Sequence, residues 1–232
     1  VITAMRTAAI LPVKRFSHAK QRLGGAVSEQ LRADLARAMV GDVLSAIHHC
    51  TAIERAIVIT AEPLLAAAAR YQGAIVLEDR GERGQSAAVA HGLARAGEEG
   101  FERALCVPGD CPTIDPAELR ALLGRPAPSG GEVVIVPDRH GHGTNGLLLS
   151  PPHAIAPAFG PGSCERHRAH ARAAGLACRV ERPASLLLDI DTGEDLDALR
   201  ELLARAGGGA PRTRAVLGLR EEAGWGASPS AA

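Results

Sequence analysis

An α/β fold with a mostly parallel sheet is predicted for this chain by three observations. Short apolar runs alternate with longer stretches whose apolar residues recur at three and four. The first five runs are nearly continuous in apolar residues, as in strands covered on both faces. Glycine-bearing polar segments follow the runs, where open α/β sheets bind their ligands.

The strand candidates are residues 7–13, 55–60, 73–78, 103–108 and 132–137, followed by 146–150, 176–181 and 186–190. Each of the first five is rich in Val, Ile, Leu or Ala. The helix candidates are 28–49, 62–71, 85–99 and 115–124, with a further helix after Ser163 and another over 194–205. Ser28 and the Asp115-Pro116 pair read as helix starts, and Gly124 as a helix stop. From Ala206 the composition turns to Gly, Pro and Ala. The expected organisation is therefore one domain over 1–205 and a mobile tail over 206–232, with a short helix near 213–222.

A chain of 232 residues can bury a full core without staples. Its 26 basic and 26 acidic residues cancel, which argues against a globally basic nucleic-acid binder. The five cysteines are odd in number and have no CxxC spacing, so neither a disulfide framework nor a structural zinc site is expected. No apolar run approaches the ~18–20 residues of a membrane span. The first residues lack the order of a signal peptide, and the cytoplasm is the expected compartment.

The chemistry lies at the strand ends. After the first strand, Lys14, Arg15, Lys20 and Arg22 place four cations within nine residues, and Lys14 and Lys20 are the only lysines. Such a loop can cradle a triphosphate, although neither a Walker loop nor GxGxxG is present. The third strand leads into Arg80-Gly81-Glu82-Arg83-Gly84-Gln85 before a helix, which suits a base or ribose pocket. The fourth ends in Gly109-Asp110-Cys111-Pro112. A rigidly held aspartate there suits Mg²⁺, and Thr113 or Asp115 can supply the helix cap instead.

Thr144 and Asn145, in the glycine-rich segment 137–146, offer donors to an oxyanion. His140 and His142 lack further ligands, so they do not suggest a metal site. Gly160 and Ser163 lie in a second loop at a helix N-terminus, which favours an anion. Ser163 could equally be a plain cap. The last run delivers Asp189 and Asp191, two apart and so on one face of a strand, where they could share a cation. Asp191 or Thr192 could instead cap the following helix.

In order, the segments PVKxxxxAKxRL, GERGQ, PGDCP, PDRxGxGTNxL, FGxGSxxRH and DIDTxEDL resemble the phosphoenolpyruvate and 2-phospho-L-lactate guanylyltransferases of coenzyme F420 biosynthesis. The resemblance covers about residues 8–204. It implies a Rossmann-like three-layer nucleotidyltransferase fold related to GT-A enzymes, with a mixed, mostly parallel sheet. It implies Mg²⁺ at Asp110, Asp189 and Asp191, and the three-carbon acid at Thr144, Gly160 and Ser163 with Asn145 beside them. Lys14, Lys20 and Arg22 would take the GTP phosphates, and Arg80, Gly84 and Gln85 would lie by the nucleotide. The expected partners are GTP and phosphoenolpyruvate, or a related phospho-acid such as 2-phospho-L-lactate or 3-phosphoglycerate. A homodimer is compatible with this, and no nucleic acid or membrane is called for. The rival readings are a sugar-phosphate nucleotidyltransferase, made less fitting by the absence of a glycine-rich LAGGxSxR loop, and a nucleotide-binding module without turnover.

Overall fold

The computed structural model describes residues 5–18, 20–23, 27–79, 83–205 and 208–219. The strands are β1 (Thr7–Val13), β2 (Arg55–Thr60), β3 (Ile75–Glu78), β4 (Arg103–Cys106), β5 (Glu132–Pro137), β6 (Thr144–Ser150) and β7 (Ala177–Val180). The helices are α1 (Glu29–His49), α2 (Pro63–Tyr71), α3 (Gln85–Glu98), α4 (Pro116–Leu123), α5 (Ser163–Ala173), α6 (Gly193–Arg205) and α7 (Pro211–Val216). The sheet order is β3-β2-β1-β4-β6-β5-β7. Only β6 runs against its neighbours, so the sheet is mixed and mostly parallel, as expected.

Strand alternation produces the three layers. Ala9, Leu11 and Val13 of β1 pack into a core with α1, α2 and α4, whereas Ala8 and Ile10 pack on the other face with α3 and α5. Gly92 lets α3 lie close to the sheet, because a Cβ there would sit 2.6 Å from Ile10 Cγ2 and 2.8 Å from Ile59 Cδ1.

Local signals read from sequence match their physical partners. Ser28 Oγ accepts from the Leu31 amide at 3.3 Å, and Asp115 Oδ1 accepts from the Ala117 amide at 2.7 Å. Two expectations need correction. The run 186–190 forms no strand. A 3₁₀ turn at Ala184–Leu186 is followed by irregular chain whose polar groups are satisfied otherwise. The Asn145 amide donates to the carbonyls of Leu186 and Leu187, and the Ile190 amide donates to the carbonyl of Asp110.

The second correction concerns the tail. Residues 208–219 carry α7, which packs on α1 rather than hanging free. Buried Asp42 of α1 accepts from the Arg212 amide at 3.1 Å, the Thr213 amide at 2.8 Å and the Thr213 hydroxyl at 2.7 Å. A carboxylate on α1 thus caps α7. A third cluster joins Leu23, Leu35, Met39 and Ile190 to Leu196 and Leu199 of α6. Residues 220–232 lie outside the described residues. No helix among the described residues is long and apolar enough to cross a membrane.

Candidate active site

Because β6 is antiparallel, its beginning lies at the sheet rim where β1 and β4 end. Thr144 and Asn145 are therefore held in a strand, not a loop, beside the segments that carry Lys14 and Asp110.

At this rim the Lys20 ammonium bridges two carboxylates. Nζ lies 2.5 Å from Asp110 Oδ2 and 3.0 Å from Asp191 Oδ1, and its side chain is only 8% exposed. Burial pushes the lysine pKa down, but Asp110 and Asp191 outweigh it and the net shift is upward. Lys20 also has a left-handed φ of 56°, rare for a residue with a side chain. Asp110 Oδ1 is buried with no hydrogen-bond partner among the described residues.

Asp189 lies in the same field. Burial first, and Asp110 second, raise its carboxyl above the ordinary carboxylate range, while a hydrogen bond from Asn145 Nδ2 at 3.1 Å opposes the rise. Asp189 and Asp191 thus come near Asp110 through an irregular turn, not through the alternation of a strand. Asn145, expected at the substrate, spends its amide on Leu186, Leu187 and Asp189. It positions Asp189 instead.

Asp195 locks the other side of the turn. Its Oδ2 accepts from the Asp191 and Thr192 amides and from the Thr192 hydroxyl, while its own amide donates to Thr192 Oγ1. This reciprocal pairing caps α6, with Thr192 as the cap. Arg139 Nη2 lies 2.6 Å from Asp195 Oδ1. Burial pushes the Asp195 pKa up, but these hydrogen bonds and Arg139 bring it below the usual range.

The two expected anion loops adjoin each other. The Cys164 amide donates to the His142 carbonyl at 3.1 Å, and Thr144 Oγ1 lies 3.1 Å from His167 Nδ1 on α5. Gly162, left-handed at φ 73°, occupies the cap position of α5, so Ser163 is the first helical residue and not the cap. The amides of Ser163 and Cys164 already have protein acceptors, which weakens the simple helix-terminus argument. The Ser163 hydroxyl, in contrast, is buried and has no partner among the described residues. Gly160 has φ 105°, a conformation that favours glycine.

A cleft of about 300 Å³ runs from Asp110, Asp191 and Lys20 past Lys14 to Gly84 and Gln85. It is at the small end for a ligand pocket. Thr144 and Ser163 are not in its wall. Chain neighbours of the two are tied toward it by hydrogen bonds: Asn145 to Asp189, two residues before Asp191, and the Phe159 amide to Ser86 Oγ at 2.9 Å, next to Gln85. Arg22 is exposed. Arg80 lies outside the described residues.

Sequence reasoning assigned no role to His167, Ser86 or Asp195. Two of them stood in the quoted segments, His167 at the end of FGxGSxxRH and Asp195 within DIDTxEDL. Ser86, one residue beyond GERGQ, gave no signal of its own. Among the described residues, no three His, Cys, Asp or Glu side chains form a group able to hold a metal ion on their own.

Comparison with known proteins shows the family and the fold. The family described as "Guanylyl transferase CofC like" matches residues 7–209. The chain is 52% identical over 213 residues to a phosphoenolpyruvate guanylyltransferase of Conexibacter woesei, a match covering 92% of this chain and 96% of the relative. It is 38% identical over 192 residues to a 2-phospho-L-lactate guanylyltransferase of Methanothermobacter thermautotrophicus, covering 83% of each. A solved structure of a putative nucleotide-diphospho-sugar transferase from Desulfovibrio desulfuricans G20 superposes with TM-score 0.72 at 17% identity, covering 92% of this chain and 94% of the other. That likeness shows the nucleotidyltransferase fold.

Proposed function

Since the chain belongs to the CofC-like guanylyl transferase family, we propose that it transfers GMP from GTP to the phosphate of phosphoenolpyruvate. The products are enolpyruvyl-diphospho-5′-guanosine and pyrophosphate, in the making of coenzyme F420. The observation that carries the chemistry is Lys20 set between Asp110 and Asp191 at the end of the cleft. The choice of acid is supported by the name of the 52% identical relative. The 2-phospho-L-lactate guanylyltransferase at 38% identity keeps that acid as the second reading.

The residues suit a divalent cation. Two carboxylates, Asp110 and Asp191, face one lysine, Asp110 Oδ1 is buried without a partner among the described residues, and Asp189 is driven upward by burial and by Asp110. Mg²⁺ commonly takes one or two protein carboxylates and completes its shell with phosphate oxygens and water. Asp110, Asp189 and Asp191 would hold it. Bound there, Mg²⁺ would neutralise charge on the phosphates.

The chain's own residues position the reactants. Lys14 at the cleft meets the triphosphate, and Lys20 fixes two carboxylates while lowering their repulsion of it. Gly84, at a φ of 94° that favours glycine, caps α3 and lets the backbone approach the nucleotide at Gln85. Ser163 and Thr144 orient the acid. Its phosphate attacks the α-phosphorus of GTP and pyrophosphate leaves, without a protein nucleophile. The attacking phosphate is already ionised at neutral pH, so no strong base is required.

Pyrophosphate release with GTP and each of phosphoenolpyruvate, 2-phospho-L-lactate and 3-phosphoglycerate tests the reading. Fastest release with phosphoenolpyruvate is expected. Fastest release with another acid reassigns the substrate, and no release with any acid overturns the activity. Repeating the assay with ATP, CTP and UTP tests the choice of base. Asp110→Ala should abolish product while unfolding remains cooperative.

A further inference from the structure

We propose that His167 is a positioning residue that turns the Thr144 hydroxyl proton toward the phospho-acid. This rests on the reading that the acid is oriented by Thr144 and Ser163.

His167 is fully buried in α5. The Ala158 amide lies 2.9 Å from its Nε2, and Thr144 Oγ1 lies 3.1 Å from its Nδ1. A backbone amide can only donate, so Nε2 is the acceptor. A neutral imidazole carries one N–H, which must then sit on Nδ1 and donate to Thr144 Oγ1. Burial, followed by His170 and Arg166, lowers the imidazole pKa to about 4, which keeps the ring neutral near pH 7.

The consequence falls on Thr144. Its oxygen accepts from His167, so its single proton must be given elsewhere. Among the described residues no second protein group bonds this hydroxyl. Ionised phosphate and carboxylate oxygens only accept, so a hydroxyl committed to donating is matched to them. In the opposite tautomer Thr144 would donate to Nδ1, and its lone pairs would face the anion. The ring itself is held: Phe159 packs against it edge-on at 5.1 Å, and the Phe159 amide is tied to Ser86 Oγ on α3. Ala158, which sets the tautomer, directly precedes this pinned residue.

Two variants separate the hydrogen bonds. His167→Gln can keep an acceptor for the Ala158 amide but removes the donor to Thr144. His167→Asn places an amide nitrogen where Nδ1 was. In steady-state assays His167→Gln should raise KM for the acid about tenfold, the scale of one hydrogen bond to a charged group, with KM for GTP unchanged. His167→Asn should recover most of that loss. In a Thr144→Val background His167→Gln should add nothing. An unchanged acid KM in His167→Gln, equal rises for both substrates, or additivity with Thr144→Val overturns the role of His167. If Thr144→Val itself leaves the acid KM unchanged, the placement of the acid is what fails. Should the variants not fold, ¹⁵N-histidine NMR of the wild-type protein decides: a proton on Nδ1 supports the assignment, and a proton on Nε2 overturns it.

Discussion

At the scale of single residues, the buried imidazole of His167 makes stability depend on pH. Its folded-state pKa of about 4 lies below the ordinary 6.5. Between these values the unfolded chain binds a proton that the folded chain refuses. The contribution is therefore complete above pH 6.5 and is lost as pH falls toward 4. The shift corresponds to roughly 3 kcal/mol at most. Urea unfolding at pH 7 and pH 5 should show the wild type losing stability, with a flatter dependence in His167→Asn. Equal pH dependence in the two proteins would contradict this origin. Such couplings are hard to read from sequence. Lys20 stood out as one of two lysines in a cation cluster, yet its partners are 90 and 171 residues away. Proximity of that kind is created by the sheet and is silent in the local pattern. The same holds for Asn145, read from sequence as a donor to an oxyanion but with its amide serving Asp189.

At the scale of elements, the reading succeeded where the cause is local. Ser28 and Asp115 cap the helices they precede because an N-cap acts on amides two or three residues ahead. The apolar period placed β1, β2 and β5 to the residue. It failed at 186–190, since apolarity reports burial and not the hydrogen-bond partner. Leu186 is buried, but its carbonyl belongs to Asn145. Gly92 shows an equally non-local constraint, on the contact between α3 and the sheet. Gly92→Ala would relieve the helix of a poor helix former, a gain of about 1 kcal/mol. The new methyl would collide with Ile10 and Ile59, and such overpacking costs ~1–3 kcal/mol. We expect net destabilisation, measured as a lower urea midpoint. A midpoint at or above that of the wild type would mean that the β1–β2 surface yields.

For the molecule as a whole, the carboxyl-terminal segment supports the site from beneath. Leu23 follows Lys20 by three residues, and Ile190 separates Asp189 from Asp191; both are in one apolar cluster with α1 and α6, and Leu217 after α7 packs on it. The site is thus a clasp between the two ends of the domain, and the clasp has a kinetic meaning. Hairpin and parallel pairings such as β5–β6 and β1–β2 span far shorter stretches of chain than the 171 residues between Lys20 and Asp191. Contacts of long sequence separation repay their loop-closure entropy late. After dilution from denaturant, far-ultraviolet circular dichroism should recover before pyrophosphate-releasing activity does, and simultaneous recovery would refute that order. A newly made chain would then acquire its secondary structure before its chemistry, and spend the interval as a folded scaffold that cannot yet consume nucleotide.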